Sequence, residues 1–322
     1  FLNSNVYFSS HHHLGDVAFF YGKGELMNQT FMKEKKILPL VLSMSLPMVL
    51  SMLVNSLYNI IDSYFVAKIS ENAMTALSLV YPLQILINAV AVGLGIGLNT
   101  AASFYLGAQD HEKADDAASL GMVLSVIHGL ILTFICILIV PSFLHLFTQD
   151  EAVISYALTY SYIVFAFTTP ITISIAMEKV FQAEGQMVIT MTTMLCGCIT
   201  NIILDPIFIF GLGPVPEMGI AGAAWATGIG QIVPMMLYFI IYLKKPLPLR
   251  LRIRKGMFDR KLSGRIYGVG IPAALNMALP SLMITALNGI LASFSAVYVL
   301  VLGIYYKLQT FIYLTANGIV QG

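Results

Sequence analysis

Two carboxylates lie inside long apolar runs of this 322-residue chain, where an ionisable side chain is costly and is therefore a candidate functional group. Asp62 is six residues before Lys68, and Asp205, in the stretch NIILDPIFIFGLG, is six residues before Gly211. Asn201 precedes Asp205 by about one helical turn, so both side chains would lie on the same helix face. These oxygen-bearing groups suit a hard cation such as Na⁺, or a proton that the two acids share.

The elements that must position these groups are membrane-spanning helices. Hydrophobic residues make up 58% of the chain, charged residues 10%, and the mean hydropathy is +0.83. A helix needs roughly 20 apolar residues to cross a bilayer, and such runs are predicted near 37–67, 73–98, 119–141, 153–177, 187–211, 219–243, 266–292 and 296–320. The sequence therefore predicts an all-α integral membrane protein.

Basic residues in the short loops indicate the orientation of these helices. Apart from Lys68, they fall on one side of the membrane: Lys33, Lys35, Lys36, Lys113, Lys179 and a cluster between 244 and 265. We therefore expect a multi-pass protein of the bacterial cytoplasmic (inner) membrane with its N-terminus in the cytoplasm.

With this orientation, helices one and five run outward while helices four and six run inward. Asp62 and Asp205 then both lie about 9 Å from the outer ends of their helices. Tyr160 in helix four and Thr227 in helix six fall at a similar depth. The sequence predicts that these side chains, together with Asn201, form one cation-binding site in the outer half of the first six helices.

A structural role for Asp205 is the alternative. Pro206 removes a backbone donor and leaves a carbonyl without its helical partner. A protonated Asp205 could hydrogen-bond there without binding any ion.

The chain also repeats itself at an offset of 225 residues. SLPMVLSMLVNSLYN overlays GIPAALNMALPSLMI, and YPLQILINAVAVGLGIG overlays YKLQTFIYLTANGIVQG, both without a gap. Six helices separate the two copies, an even number, so the copies enter the membrane in the same direction and form parallel repeats.

This repeat predicts the domain organisation. Residues 27–243 would form an N-lobe of transmembrane helices 1–6, residues 244–261 a basic cytoplasmic inter-lobe loop, and residues 262–322 a partial C-lobe with helices 7 and 8. About eight of twelve helices would then be present. Residues 1–26 have neither helical periodicity nor signal-peptide features, so we expect a non-native or untranslated leader that ends before Met27.

The chain resembles the multidrug and toxic compound extrusion (MATE) family. The motifs that carry this resemblance are SLPMVLSMLVNSLYNIIDSYFVAKI, AVGLGIGLNTAASFYLGAQD, FQAEGQ and NIILDPIFIFGLG followed by GIAGAAWAT. The resemblance implies twelve helices in two six-helix lobes, and export of organic cations and other amphipathic compounds in exchange for Na⁺ or H⁺. It places the coupling-ion site at Asp62, Asn201, Asp205 and Thr227, with Tyr160 as a further member.

The repeat places Leu287 of helix seven opposite Asp62, so no second-lobe carboxylate matches the first. This points toward the DinF-like branch of the family, whose ion site is in the first lobe.

A substrate cavity is expected between the lobes. Five side chains are candidates for its lining: Lys307, Gln309, Gln84, Met48 and Met52. Methionines adapt to varied substrates. Lys307 would face this cavity or else pair with a carboxylate of helices beyond helix eight.

The expected partners are small organic cations or amphipathic substrates and membrane lipids. The net charge of +1 gives no reason to expect nucleic acid. We expect a monomer, no cofactor apart from the coupling ion, and no enzyme activity, because the chain has no HExxH, GxSxG or paired cysteine–histidine motif. Two alternatives stay open: a lipid-linked oligosaccharide flippase of the same superfamily, whose cavity should be strongly cationic, and a structural membrane protein or channel.

Overall fold

The computed structural model describes residues 36–245 and 247–321. The predicted leader, 1–26, and the proposed start at Met27 lie outside these residues. By contacts the chain divides into a unit ending at Val41 and a unit from Leu42 to Gly322. The described part of the first unit is the beginning of one helix, and the second unit holds the core and the candidate site.

The described residues form nine α-helices and one short 3-10 turn, with no strand among them. In chain order these are α1 (Ile37–Ala67), α2 (Glu71–Gly107), α3 (His111–His145), α4 (Glu151–Ala166), α5 (Thr168–Ala183), α6 (Met187–Phe210), α7 (Ile220–Lys244), the turn at Lys255–Met257, α8 (Arg260–Ala292) and α9 (Ala296–Gln321). Six of them, α1, α2, α3, α6, α7 and α8, are long and apolar enough to cross a membrane. The prediction of an all-α membrane protein is confirmed.

The span expected as one helix near 153–177 is two helices. Helices α4 and α5 meet at Phe167 at a bend of 46°. The physical cause is Pro170, because proline has no N–H to donate to the carbonyl of Ala166 and its ring crowds that carbonyl. Together the pair passes as a seventh span.

The helix bounds recur at the spacing of the sequence repeat. Ala67 ends α1 and Ala292 ends α8, while Glu71 begins α2 and Ala296 begins α9. Both pairs are 225 residues apart, the offset at which the sequence overlays itself.

Helices α2 and α8 approach closely along their length because glycines face the contact. A Cβ built on Gly93 would lie 2.5 Å from the Cβ of Ala274, and one on Gly97 would collide with the carbonyl oxygen of Ile266. Small residues at such positions let two membrane helices bring their backbones together.

We call inner the end of the bundle where α2, α5 and α7 finish, and outer the opposite end. At the inner end, residues 247–259, here called the linker, connect α7 to α8. Four successive backbone N–H groups of the linker donate to side chains of the bundle: Leu249 to Glu184 at 2.8 Å, Arg250 to Asp115 at 2.8 Å, Leu251 to Tyr242 at 2.6 Å and Arg252 to Ser119 at 2.8 Å. The linker is therefore docked on the bundle.

Candidate functional site

A cavity of about 340 Å³ lies within the bundle and is lined by residues of α1, α2, α4, α5, α6 and α7, with one contribution from α8. Four of the five predicted cation-binding side chains reach its wall: Asp62, Tyr160, Asn201 and Thr227. Its volume is at the lower end of the range for small-molecule pockets. The predicted residues, which come from four helices, therefore meet in one place.

The fifth residue, Asp205, is fully buried and lies behind Asn201. When the Asn201 amide is oriented so that both of its ends find partners, its nitrogen donates to Asp205 Oδ2 at 3.2 Å and its oxygen accepts from the Thr227 backbone N–H at 3.2 Å. Asn201 thus joins α6 to α7 and holds Asp205 next to the cavity wall. Gly230 permits this contact, since a Cβ there would lie 2.9 Å from the Asn201 Cβ.

Tyr160 connects the site to two further helices. Its hydroxyl accepts a hydrogen bond from Gln84 Nε2 at 3.3 Å and also interacts with the side chain of Thr227. Asp62, which is 6% exposed, is close enough to interact electrostatically with both Tyr160 and Asp205. The five predicted side chains and Gln84 therefore form one polar cluster of two acids, two hydroxyls and two amides.

The chemistry of this cluster is that of oxygen donors. Carboxylate, amide and hydroxyl oxygens are ligands of hard cations, and neighbouring carboxylates can also take up a proton. Within 36–245 and 247–321, no three His, Cys, Asp or Glu side chains come together in a metal-binding arrangement. Neutral oxygens such as those of Asn201 and Thr227 would therefore have to complete the coordination of any Na⁺.

The five predicted substrate-cavity residues are found in different places. Gln84 and Met52 line the cavity. Met48 is buried behind the wall, where it packs with Met52 and Met187. Gln309 is exposed on α9, and the Lys307 side chain lies outside the described residues. The roles of all five remain predictions.

Polar residues of α1 that were not among the predicted site residues also share the cavity. Asn55, Tyr58 and Asn59 line it beside Asp62. Asn55 precedes Tyr58 by three residues and Asn59 by four, and these two precede Asp62 by four and three. This is the pattern of one helix face, and it could have revealed them.

The interpretation of Lys179 as a loop charge that orients the protein was wrong. Lys179 lies inside α5, is 2% exposed and pairs with Glu178 at 3.2 Å. The positive-inside rule counts basic residues along the chain. It therefore cannot tell a lysine in a loop from a lysine near a helix end whose side chain is buried in the bundle.

Comparison with known proteins agrees with this fold. A family model described as MatE matches residues 47–207, half of the chain. The multidrug export protein MepA of Staphylococcus haemolyticus is 27% identical over 293 residues, which cover 91% of this chain and 64% of the relative. MepA of Staphylococcus aureus is 27% identical over 300 residues, with the same coverage. The chain thus spans about 64% of the length of these curated relatives.

Solved structures of MATE transporters have a similar fold. The outward-facing conformation of a multidrug resistance MATE family transporter of the MOP superfamily matches with a TM-score of 0.78 and 26% identity, covering 88% of this chain and 62% of that one. A MATE in complex with Br-NRF matches with a TM-score of 0.72 and 27% identity, covering 88% and 64%. The family match over half of the sequence, supported by these folds, shows that the chain belongs to the MatE family, the family of the MATE transporters.

Proposed function

We propose that the protein is a cation-coupled multidrug efflux antiporter, which exports organic cations and amphipathic compounds by alternating access in exchange for Na⁺ or H⁺. The observation that carries this proposal is the placement of two acids at the outer part of one cavity. Asp62 lies on the cavity wall, and Asp205 lies directly behind Asn201. The curated relatives, described as multidrug export proteins, support the substrate class.

In the proposed mechanism, an entering Na⁺ or H⁺ neutralises the charge shared by Asp62 and Asp205. Two buried like charges repel each other, so an ion that binds between them stabilises an arrangement in which α1 lies closer to α6. Pro47 gives α1 a place to bend, because it removes one helical hydrogen bond from that helix. The closer packing would shrink the cavity, so the substrate leaves as the ion enters.

The remaining expectations belong to the same proposal. The first lobe would comprise residues 27–243 and hold the ion site, as in the DinF-like branch, and a partial second lobe would comprise residues 262–322. The protein would work as a monomer among the lipids of a bacterial cytoplasmic membrane, with its N-terminus in the cytoplasm. It would act without enzyme chemistry and without a cofactor besides the coupling ion.

The charges of the cavity favour export of drugs over transport of lipid-linked pyrophosphates. Among the described residues, the charged side chains that line the cavity are Asp62, Glu178 and Lys179. Two acids and one paired base do not provide the cationic surface that a pyrophosphate needs. The flippase alternative therefore gains no support from this cavity.

The test compares the thermal unfolding of the purified protein in Na⁺ with that in K⁺ at several pH values. Ligands that bind the folded state raise its melting temperature, so we expect a saturable Na⁺-specific rise or a pH-dependent rise that Asp205→Asn abolishes. Asp150→Asn is the matched control: Asp150 caps α4 through its side-chain oxygen, and asparagine caps equally well. An unchanged ion response, or normal dye efflux from cells, in a folded Asp205→Asn variant would refute the proposal.

A further inference from the structure

A second cluster of charged and polar side chains lies at the inner part of the cavity. Glu178 and Lys179 are consecutive residues of α5, and both line the cavity. Lys179 Nζ donates to Glu178 Oε1 at 3.2 Å and to Gln182 Oε1 at 2.8 Å. Gln182 Nε2 completes the triangle by donating to Glu178 Oε1 at 2.6 Å. All three residues are at most 9% exposed.

This cluster is separate from the proposed cation site. Glu178 lies five residues before the end of α5, about 8 Å from the inner end of that helix. Asp205 lies 18 residues into α6, which begins at the same end, and so about 27 Å along its helix. The two groups of charges therefore lie toward opposite ends of the cavity, the acids Asp62 and Asp205 at the outer end and Glu178 with Lys179 at the inner end.

The cluster is neutral as a whole, and this neutrality determines which ligands it can accept. A ligand with a single positive charge would be repelled by the buried Lys179, and a ligand with a single negative charge would be repelled by the buried Glu178. Burying a charge next to a like charge is strongly unfavourable when no counter-charge accompanies it. A ligand that carries both charges can replace one internal ion pair by two intermolecular pairs, so no buried charge loses its partner.

The spacing of the pair limits the ligand further. The Lys179 nitrogen and the Glu178 oxygen are 3.2 Å apart, a separation that suits an ammonium and a carboxylate attached to the same carbon atom. Gly95 leaves room for the lysine stem, because a Cβ there would lie 2.8 Å from Lys179 Cγ. The head group of an α-amino acid has this arrangement of charges.

The neighbouring wall of the cavity suits an apolar ligand body. Tyr238 lines it and stacks on Phe181 with ring centroids 5.4 Å apart. Met52, Met194 and Met277 also contribute to the lining. Aromatic and thioether side chains accommodate flat or irregular apolar groups.

We propose that Glu178 and Lys179 form a binding site for the zwitterionic head of an amphipathic substrate, an apolar α-amino acid or a derivative that keeps both charges. Glu178 accepts hydrogen bonds from the ligand ammonium, and Lys179 donates to the ligand carboxylate. Gln182 holds both side chains in place through its amide. The inference rests on the proposed function in that it takes this cavity as the substrate site. It concerns zwitterionic members of the amphipathic substrates, and organic cations would bind in the cavity away from Lys179.

Three probes that share one apolar body test the proposal by calorimetric titration of the purified protein. They are O-benzyl-L-tyrosine, which is zwitterionic, its methyl ester, which is a cation, and its N-acetyl derivative, which is an anion. We expect the zwitterion to bind at least about tenfold more tightly than either of the others. Equal or tighter binding of the ester, or no binding of any probe, would overturn the assignment.

Charge variants then show which residue recognises which end of the ligand. Lys179→Gln should shift the preference to the methyl ester, and Glu178→Gln should shift it to the N-acetyl probe. A purely structural ion pair would lower stability without reordering the three probes. If a single variant does not fold, the double variant Glu178→Gln with Lys179→Gln, which removes both buried charges, should fold and lose the zwitterion preference. An unchanged ranking in folded variants contradicts the proposal.

Two controls separate this inference from the proposed function. Lys113→Gln removes a lysine from an exposed ion pair with Asp110 and should leave the ranking unchanged. Asp205→Asn should abolish the response to Na⁺ or H⁺ yet preserve the preference for the zwitterion. The ion response of the melting temperature therefore reports on the coupling site alone, and the affinity ranking of the three probes reports on Glu178 and Lys179 alone.

Discussion

Glu184 holds the linker against the bundle, and its charge should make the protein less stable at high pH. Glu184 follows the last residue of α5, outside the membrane-spanning segments, and is 4% exposed. Its Oε1 accepts from the Leu249 N–H at 2.8 Å, while Oε2 has no partner among the described residues. Burial raises the pKa of Glu184 from 4.5 to about 7. The Leu249 amide and Lys245 oppose this rise, and Asp115 adds to it.

The size of the effect follows from this pKa. A carboxyl group with a pKa of about 7 in the folded protein and 4.5 in the unfolded chain is harder to ionise in the fold by up to about 3 kcal/mol. Between these two pH values the folded protein retains a proton that the unfolded chain has released. The unfolding free energy should therefore fall as the pH rises from about 4.5 to about 7 and then stay level.

Glu184→Gln is the perturbation that isolates this charge. Glutamine keeps the oxygen that accepts from Leu249 and has no charge to bury. We expect it to match the wild type near pH 4.5 and to be more stable above pH 7 by up to about 3 kcal/mol. The measurement is thermal unfolding in detergent across this range, read as the difference between variant and wild type so that other titrating groups cancel.

Glu184→Ala is the companion variant. It also removes the charge, but it leaves the Leu249 N–H without an acceptor, which costs about 1–3 kcal/mol for a buried donor. Glu184→Ala should therefore lie below Glu184→Gln by this amount at every pH. A difference between Glu184→Gln and wild type that does not grow with pH, or that has the opposite sign, would refute the reasoning.

Two further predictions concern the packing of the helices and the cation site. Gly97→Ala should lower the unfolding free energy by about 1–3 kcal/mol, because its Cβ would collide with the backbone of α8. Gly107→Ala is the control and should leave the unfolding free energy unchanged, because no atom lies near its Cβ. Equal melting temperatures for the two variants would contradict the close contact between α2 and α8. Asn201→Ala should remove the Na⁺ or pH response of the melting temperature by releasing Asp205, whereas Thr200→Ala, at a half-buried neighbour that does not line the cavity, should keep it. A full ion response in Asn201→Ala would show that the link to α7 is dispensable.

Much of the fold could be predicted because the membrane leaves the chain few choices. Every backbone polar group in hydrocarbon must find its partner within the same helix, so long apolar runs are helical. The bounds of α1 were predicted to the residue, and those of α6 and α7 to within one. The break at Phe167 was missed because the run from 153 to 177 is apolar enough for a single span and the decisive signal is a single proline, Pro170.

The site was partly predictable for a related reason. Depth in the membrane follows from the position of a residue along its helix, so Asp62, Asp205 and Tyr160 could be assigned to one level before any contact was known. Which of these side chains line the cavity and which lie behind its wall could not be predicted, because this depends on how each helix is rotated about its axis. Only the fold shows that Asn201 lies on the wall and Asp205 behind it.

The sequence by itself determined most of the helices, their repeat at 225 residues and the residue types of the proposed cation site, since these follow from local hydrophobicity and position along a helix. The tertiary structure decided which polar groups become partners. Lys179 illustrates this division: along the chain it is one more basic residue near a helix end, yet it is buried against Glu178 and Gln182. Neighbouring residues on a helix point in directions about 100° apart, and only the packing of the surrounding helices determines which of them face the cavity.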